Sequence, residues 1–203
     1  MCLIKQRAKN PQQKALRRQQ ILDATRRRFE TLSYEEVNLN HIAGDVNITK
    51  AALYRYFRNK ETLFLALFVE TLDELVNSAG QEILQTSLAQ AITNTLLANP
   101  SYCKLSAILH TILERNLNLE EASQFKQTLL KLMGRYAQLI GKHKELKSAD
   151  TENRAIIILM QVQQALIGVW HMSHPTGAIA DVIETPPLNV FKQDFGEALL
   201  AHI

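Results

Sequence analysis

A short stretch near residue 50 combines cationic, aromatic and small side chains on one predicted helical face. Thr49 can cap a helix there, since its hydroxyl can accept from a backbone N–H of the first turn. Leu53 and Phe57 are four residues apart and are expected to face inward. Small residues near the start of such a helix, flanked by Lys, Arg and Tyr, suit the major groove of DNA. The outward positions are Lys50, Ala51, Ala52, Tyr54, Arg55 and Tyr56.

The residues on both sides of this helix predict a helix-turn-helix. Asn38 can cap a preceding short helix that has one apolar face. Asn47 falls where the chain must reverse, and Asn is a non-glycine residue that tolerates the left-handed conformation. Asn59 is expected to cap the next helix, whose first turn contains Lys60. The whole motif therefore covers residues 38–60.

Charge is distributed unevenly along the 203 residues. Residues 1–60 contain 13 Lys and Arg against 5 Asp and Glu, a net charge of +8, whereas residues 61–203 have a net charge of −5. Because the N-terminal part is basic and the remainder is acidic, we expect only the N-terminal part to contact a polyanion. The first predicted helix, residues 16–32, adds arginines that we expect to neutralise phosphates: Arg17, Arg18, Arg26, Arg27 and Arg28.

Composition and periodicity predict an all-α protein of about nine helices, because Gly and Pro are scarce and apolar residues recur at helical spacing. Residues 1–16 are expected to be a flexible basic arm with Pro11 as a breaker. Residues 17–60 form the predicted DNA-binding head, and residues 61–203 form a larger helical body. A helix from residue 60 to 79 joins the two. Further helices are expected at residues 81–98, 102–116, 119–142, 151–172 and 188–202.

The predicted helix at residues 151–172 is apolar around nearly its whole circumference. A helix of this kind is buried on all sides, which in so small a body implies a second chain. Together with the helix at residues 188–202 it would build a four-helix interface in a homodimer. The expected interface residues are Ile158, Val162, Ala165, Gly168, Val169, Phe191, Phe195 and Leu199.

The pattern of residues from Ile21 to Leu63, which includes Leu-Tyr-x-Tyr-Phe at residues 53–57, resembles the TetR/AcrR family of bacterial transcriptional regulators. The resemblance implies a homodimer with a DNA-binding head on each chain, a body with a small-molecule pocket, and usually repression that the ligand relieves. Two heads related by two-fold symmetry would read half-sites about 34 Å apart, or a multiple of it, so double-stranded DNA with an inverted repeat is the expected partner.

The resemblance also implies which residues meet DNA. The chain departs from the family at Ser33 and Asn47, where glycine is usual. The resemblance places Thr49, Lys50, Ala51 and Ala52 at base edges, Tyr54 and Tyr56 at bases and backbone, and Asn38 and Lys60 at phosphates. Arg55, which we expect from its charge to neutralise a phosphate, completes the set of nine residues.

An effector pocket is implied in the same way, and no motif in the body names its ligand. A soft apolar pocket with a few polar groups would suit an amphipathic or aromatic molecule. An ordinary core or interface role is the alternative for every candidate. The candidates are Tyr102, Cys103, His110, Glu114, Phe125, Met133, Tyr136, Trp170 and His171.

Other chemistry finds little support in the sequence. His171 and His174 lack a nearby carboxylate or thiol that would complete a metal site. No catalytic cluster or phosphate loop is recognisable, so we expect no enzyme activity, no metal and no cofactor. No apolar run approaches the ~18 residues of a membrane span, and the N-terminus has no apolar signal region. A bacterial cytoplasmic location, on the nucleoid when DNA is bound, and no membrane partner are expected.

Three alternatives stay open at this point. A non-specific architectural protein would share the basic head and prefer no inverted repeat. An α-helical enzyme or small-molecule carrier could retain the head as a relic, although it would need a polar cluster in the body. Attachment to a membrane surface by the first helix is less favoured, because the apolar face of that helix is modest and is needed for packing.

Overall fold

The computed structural model describes residues 10–79, 86–143, 146 and 151–203, and within them it contains ten α-helices and no strand. A π-helical segment, Leu109–Leu113, continues α6, and a 3-10 turn, Leu188–Phe191, precedes α10. The prediction of an all-α fold is confirmed, with one helix more than expected. The α-helices are α1 Pro11–Thr31, α2 Leu39–Asp45, α3 Lys50–Leu53, α4 Lys60–Ser78, α5 Leu88–Leu97, α6 Pro100–Ile108, α7 Leu119–Ile140, α8 Thr151–Ser173, α9 Ala178–Val182 and α10 Phe195–His202.

The first helix begins earlier than predicted. The Asn10 side chain accepts a hydrogen bond from the Gln13 backbone N–H (2.8 Å). Pro11 lies in the first turn, where its missing N–H leaves no helical hydrogen bond unmade. The prediction of a flexible arm is therefore wrong for residues 11–16, and residues 1–9 lie outside the described residues. Pro100 likewise lies in the first turn of α6, which begins two residues before its predicted start.

Two later helices also differ from their predicted bounds. Ser87 caps α5, so this helix begins at Leu88 instead of residue 81; residues 80–85 lie outside the described part of the chain. The last helix was predicted from residue 188, and that prediction is wrong. Residues 192–194 are not helical, and the Asp194 side chain caps α10 by accepting from the Glu197 backbone N–H (2.8 Å).

A continuous hydrophobic core connects the head, here α1 to α3, with the body that follows. Phe29 of α1 and Tyr34 both pack edge-on against Phe64 of α4, with ring centroids 5.1 and 4.9 Å apart. One turn further along α4, Phe68 stacks on Tyr102 of α6 at 5.4 Å. α4 therefore contributes side chains to the core of both the head and the body.

A buried arginine attaches the helix-turn-helix to α1. Arg17 is 3 % exposed, and its Nη1 donates to the Val46 carbonyl oxygen at the end of α2 (2.7 Å). The expectation that Arg17 neutralises phosphate is therefore wrong, because its guanidinium lies inside the head. Arg26 and Arg28 are also engaged within the chain. Arg26 binds Glu70 and Glu74 of α4, and Arg28 binds Asp45 at 2.6 Å, which lowers the pKa of that carboxyl.

Replacing Arg17 with Met is expected to lower the free energy of unfolding by about 2 kcal/mol, because the buried Val46 carbonyl loses a charged donor while the apolar stem is retained. Urea denaturation measures this change. Arg27→Met, on the exposed side of the same helix, is the matched control and should change stability by less than about 0.5 kcal/mol. Equal effects of the two substitutions would contradict the structural role of Arg17.

α8 is less buried than a helix apolar on all sides was expected to be. Leu159 and Leu166 point into the core, whereas Ile157, Met160 and Met172 are 49 to 59 % exposed. By length and composition alone, the segment Glu152–Ser173 could cross a membrane. One such helix is weak evidence, because core helices of soluble proteins pass the same test.

Candidate nucleic-acid interface and body cavity

α2, α3 and the turn between them form a helix-turn-helix held by local hydrogen bonds. The Asn38 side chain accepts from the Asn40 backbone N–H (2.8 Å), and the Thr49 hydroxyl accepts from the Ala52 backbone N–H (3.1 Å). Asn47 adopts φ 55°, in the left-handed region. Leu53 and Phe57 are 0 % and 4 % exposed. The predicted caps, the reversal at Asn47 and the inward face of α3 are confirmed.

The outward face of α3 and of the turn after it is available to a partner. Lys50, Ala51 and Arg55 are exposed, and Ala52 is half-buried. Tyr54 is 43 % exposed, and the Lys50 ammonium lies 5.9 Å from its ring centroid. Since none of these side chains belongs to the buried core, this face can contact a ligand without disturbing the packing beneath it.

Two residues of the predicted contact set are restrained by the chain itself. Tyr56 is half-buried and packs against the core. The Lys60 ammonium lies 4.3 Å from the Tyr34 ring centroid and donates to the Glu35 carbonyl oxygen (3.4 Å). Partial burial lowers the pKa of Lys60. A phosphate contact by Lys60 would therefore require its side chain to leave Tyr34.

A lysine of the body closes the C-terminal end of α1. The Lys104 ammonium of α6 donates to the carbonyl oxygens of Phe29 and Leu32, both at 2.8 Å. Carbonyl groups at a helix C-terminus lack helical partners and carry partial negative charge, so they favour a cation. A second attachment follows α3, where Arg58 binds the Glu121 carboxylate of α7 at 2.7 Å. The head is thus connected to α6 and α7 as well as to α4.

Lys104→Met is expected to speed amide hydrogen exchange in residues 28–32, because the end of α1 loses a charged cap while the apolar stem of the side chain is kept. Exchange mass spectrometry on the full chain measures this effect. Lys131→Met, at an exposed position of α7, is the control and should leave exchange in those residues unchanged. Identical exchange in the Lys104 variant and the parent would show that the cap contributes nothing.

A cavity of about 130 Å³ lies among α4, α5, α6, the π-helical segment, α7 and α8. Apolar and aromatic side chains form most of its wall. Four of the nine pocket candidates line it, namely Tyr102, His110, Met133 and Tyr136. A π-helical segment frequently marks a functional site, and here it contributes Leu109 and His110 to the wall.

The other five candidates lie outside the cavity wall. Cys103 is buried, its thiol donates to the Leu96 carbonyl oxygen (3.3 Å), and burial raises its pKa to about 12. Glu114 pairs with His110 (3.0 Å) and Lys126 (2.7 Å), two exposed residues at the edge of the cavity. The remaining three have other contacts: Phe125 packs on Phe68, Trp170 stacks on His174, and the His171 ring lies 3.2 Å from the Ala107 carbonyl oxygen.

Gln163 of α8 is a cavity residue that the sequence analysis missed. Its Oε1 accepts a hydrogen bond from the Tyr102 hydroxyl (3.1 Å). Gln163 follows Leu159 by four residues and precedes Leu166 by three, so it shares the inner side of α8 with buried leucines. The sequence does contain a signal for this residue, because Gln163 is a polar residue at helical spacing from the apolar residues of one face.

The residues predicted at a dimer interface occupy different environments. Val162 and Val169 of α8 and Leu199 of α10 point into the core of their own chain. Phe195 packs on Trp170 with ring centroids 5.3 Å apart. Val162, Val169 and Leu199 are buried, Ile158, Ala165 and Phe195 are partly buried, and Gly168 and Phe191 are exposed.

Two sequence families together match nearly the whole chain. The family described as "Bacterial regulatory proteins, tetR family" matches residues 21–67. The family described as "Tetracyclin repressor-like, C-terminal domain" matches residues 65–203. The first match contains the helix-turn-helix, and the second contains the cavity and the exposed side of α8.

Individual relatives agree with these matches. The uncharacterised HTH-type transcriptional regulator YhgD of Bacillus subtilis is 25 % identical over 167 residues, which cover 78 % of this chain and 86 % of YhgD. An HTH-type transcriptional repressor of Mycobacterium tuberculosis is 32 % identical over 68 residues, 34 % of this chain and 36 % of that protein.

A solved structure shows the same fold. It is that of a putative TetR-family transcriptional regulator from Mesorhizobium loti, with a TM-score of 0.52 and 17 % identity over 93 % of this chain and 96 % of that one. The matched family regions cover most of the chain and coincide with its helix-turn-helix and helical body. This chain therefore belongs to the TetR family of bacterial regulatory proteins, which are DNA-binding transcriptional regulators and not enzymes.

Proposed function

We propose that the chain is a homodimeric, ligand-responsive repressor that acts in the bacterial cytoplasm on an inverted-repeat operator. The observation that carries this proposal is the exposed basic and aromatic face of α3, held on a capped and well-packed helix-turn-helix. Cationic side chains on this face would neutralise phosphates, and the first residues of α3 would read base edges in the major groove. The proposed contact set is Asn38, Thr49, Lys50, Ala51, Ala52, Tyr54, Arg55, Tyr56 and Lys60.

The proposed dimer uses a C-terminal apolar surface that the single chain leaves exposed. Exposed apolar side chains concentrated in the C-terminal part of a monomer support an interaction role. The side of α8 that belongs to it has uncharged residues at helical spacing, including Gln161, Gln164 and Gly168. The surface consists of Ile157, Met160, Met172, Ile179, Val182, Leu188, Val190 and Phe191, which are 39 to 75 % exposed.

The cavity is the proposed effector site. Phe68 and Leu72 of α4 line it, and the same helix begins beside the helix-turn-helix at Lys60. A ligand that changes how α4 packs against α6 and α7 would tilt α4 and so alter the spacing of the two heads. In this scheme residues 17–60 recognise DNA, and residues 61–203 bind the ligand and the second chain.

Selection from a random duplex library with the purified full chain tests the DNA-binding part of this proposal. We expect an inverted repeat with half-site centres about 34 Å apart or a multiple of that distance. Affinity for the selected site should fall steeply with salt, because phosphate contacts release counterions. If the selected sequences shared no symmetric motif, the result would contradict the proposal and favour non-specific DNA coating.

A further inference from the structure

The cavity wall contains hydrogen-bond donors that the described residues do not use. The Gln163 side-chain oxygen, Oε1, accepts from the Tyr102 hydroxyl. The nitrogen of the same side-chain amide, Nε2, is therefore not used in this hydrogen bond. This Nε2 is buried and has no hydrogen-bond partner among the described residues. A buried donor without an acceptor is unfavourable, and an acceptor placed beside it is favoured correspondingly.

A second donor lies in the same wall. The Tyr136 hydroxyl is buried and forms no hydrogen bond of normal geometry with a described residue. Burial raises the pKa of Tyr136 to about 12, which keeps its phenol protonated and able to donate near neutral pH. Both groups therefore favour an acceptor atom on a ligand.

The rest of the wall sets the size and apolar character of such a ligand. The Phe68 and Tyr102 rings stack 5.4 Å apart at one side of the cavity, and leucines of α4, α7 and α8 form much of the remainder. The volume of about 130 Å³ is close to that of an engineered protein cavity, ~150 Å³, that binds benzene. A single aromatic ring with a small substituent matches this space.

The charges at the edge of the cavity favour a neutral ligand. Among the described residues, His110 and Lys126 are the cationic or titratable-base side chains that line it. Both are bound to the Glu114 carboxylate, at 3.0 and 2.7 Å. An anionic ligand would have to compete with Glu114 for them, whereas a neutral acceptor deeper in the cavity would not.

We infer that the effector is a compact neutral aromatic molecule with one carbonyl-type acceptor. The acceptor binds the Gln163 amide N–H and the Tyr136 hydroxyl, and the ring lies against Phe68 and Tyr102. This inference rests on the effector site proposed above and adds the chemical class of the ligand and the residues that select it.

A matched pair of probes tests the class directly. Acetophenone and α-methylstyrene have nearly the same shape, and the second carries a methylene group where the first has its carbonyl oxygen. Titration calorimetry on the full chain should show the ketone binding about tenfold more tightly than the alkene. Benzoate, an anionic probe of similar size, should bind more weakly than the ketone.

Substitutions at Gln163 and Tyr136 test whether these residues cause the preference for the ketone over the alkene. Gln163→Leu should reduce the ketone-to-alkene affinity ratio to below about threefold, because the amide donor is lost. Gln127→Leu makes the same change at an exposed position of α7 and should keep the ratio of the parent. Tyr136→Phe removes only one hydroxyl, so it provides a second test if the Gln163 variant folds poorly. It should lower the ratio about threefold.

Equal affinity for ketone and alkene, tighter binding of benzoate, or no binding of any probe would overturn the inference. An undiminished preference in both Gln163→Leu and Tyr136→Phe would also overturn it. The DNA selection described above is independent of these measurements. If the chain selects an inverted repeat and binds no ketone, the ligand class is wrong while the proposed DNA-binding function stands.

Discussion

A double variant, Lys50→Ala with Tyr54→Ala, is expected to lower affinity for the selected operator by at least about 100-fold. Both side chains are exposed on the outward face of α3, and neither belongs to the buried core. A specific base contact contributes about 1–3 kcal/mol, and a two-fold dimer loses each contact twice. Fluorescence anisotropy with a labelled operator duplex measures the change, and ultracentrifugation should show the dimer unaltered.

Salt dependence separates the contributions of the two residues. Loss of Lys50 alone should reduce the slope of log affinity against log salt by about one unit for each phosphate contact removed. Lys131→Ala, at an exposed position of α7 far along the chain, should leave both affinity and slope unchanged. Unchanged operator affinity in the double variant would show that the face of α3 is not the DNA-reading surface.

Gly168→Arg is expected to raise the dissociation constant of the homodimer by at least about 100-fold. Gly168 is exposed on α8, and apart from its chain neighbours and the adjacent helix backbone, no described atom lies within 4 Å of a Cβ built at this position. The substitution therefore fits the isolated chain, where it should also slightly favour the helix. In the proposed interface, however, it would bury a charge without a partner, which costs several kcal/mol. Sedimentation at several protein concentrations measures the dissociation constant.

The matched control is Gly134→Arg in α7. A Cβ built on Gly134 likewise meets no described atom within 4 Å beyond its chain neighbours and the adjacent helix backbone, and this glycine lies outside the proposed C-terminal apolar surface. It should leave the dimer intact. If Gly168→Arg sedimented as the parent does, α8 could not lie at the centre of the dimer. Operator binding should fall together with dimerisation, because one head alone makes too few contacts for useful specificity.

Features determined by neighbouring residues could be predicted from the sequence. Thr49 and Asn59 cap the helices that follow them, and Asn47 takes the left-handed conformation, because each depends on residues a few positions away. The inward direction of Leu53 and Phe57 follows from helical spacing alone. Pro11 shows the limit of such rules. Pro both breaks helices and starts them, and the preceding Asn10 was the signal for a start.

Features determined by distant parts of the chain could not be predicted in this way. Arg17 appeared to be an outward cation, yet its partner is a carbonyl 29 residues away. Lys104 caps α1 across more than 70 residues. Gln163 faces the cavity because α6 and α8 pack together, and its partner Tyr102 is 61 residues away. Helical periodicity gives the side of a helix on which a residue lies, whereas the partner depends on tertiary packing.

The central claim is that the outward face of α3 reads DNA in two symmetric copies, and a change of specificity tests it most directly. Ala51 is exposed on that face, and Arg at this position could bind guanine in the major groove. Selection with the Ala51→Arg variant should give the inverted repeat of the parent, with a new guanine preference at one equivalent position in both half-sites. A motif identical to that of the parent, or a change in one half-site only, would contradict the claim.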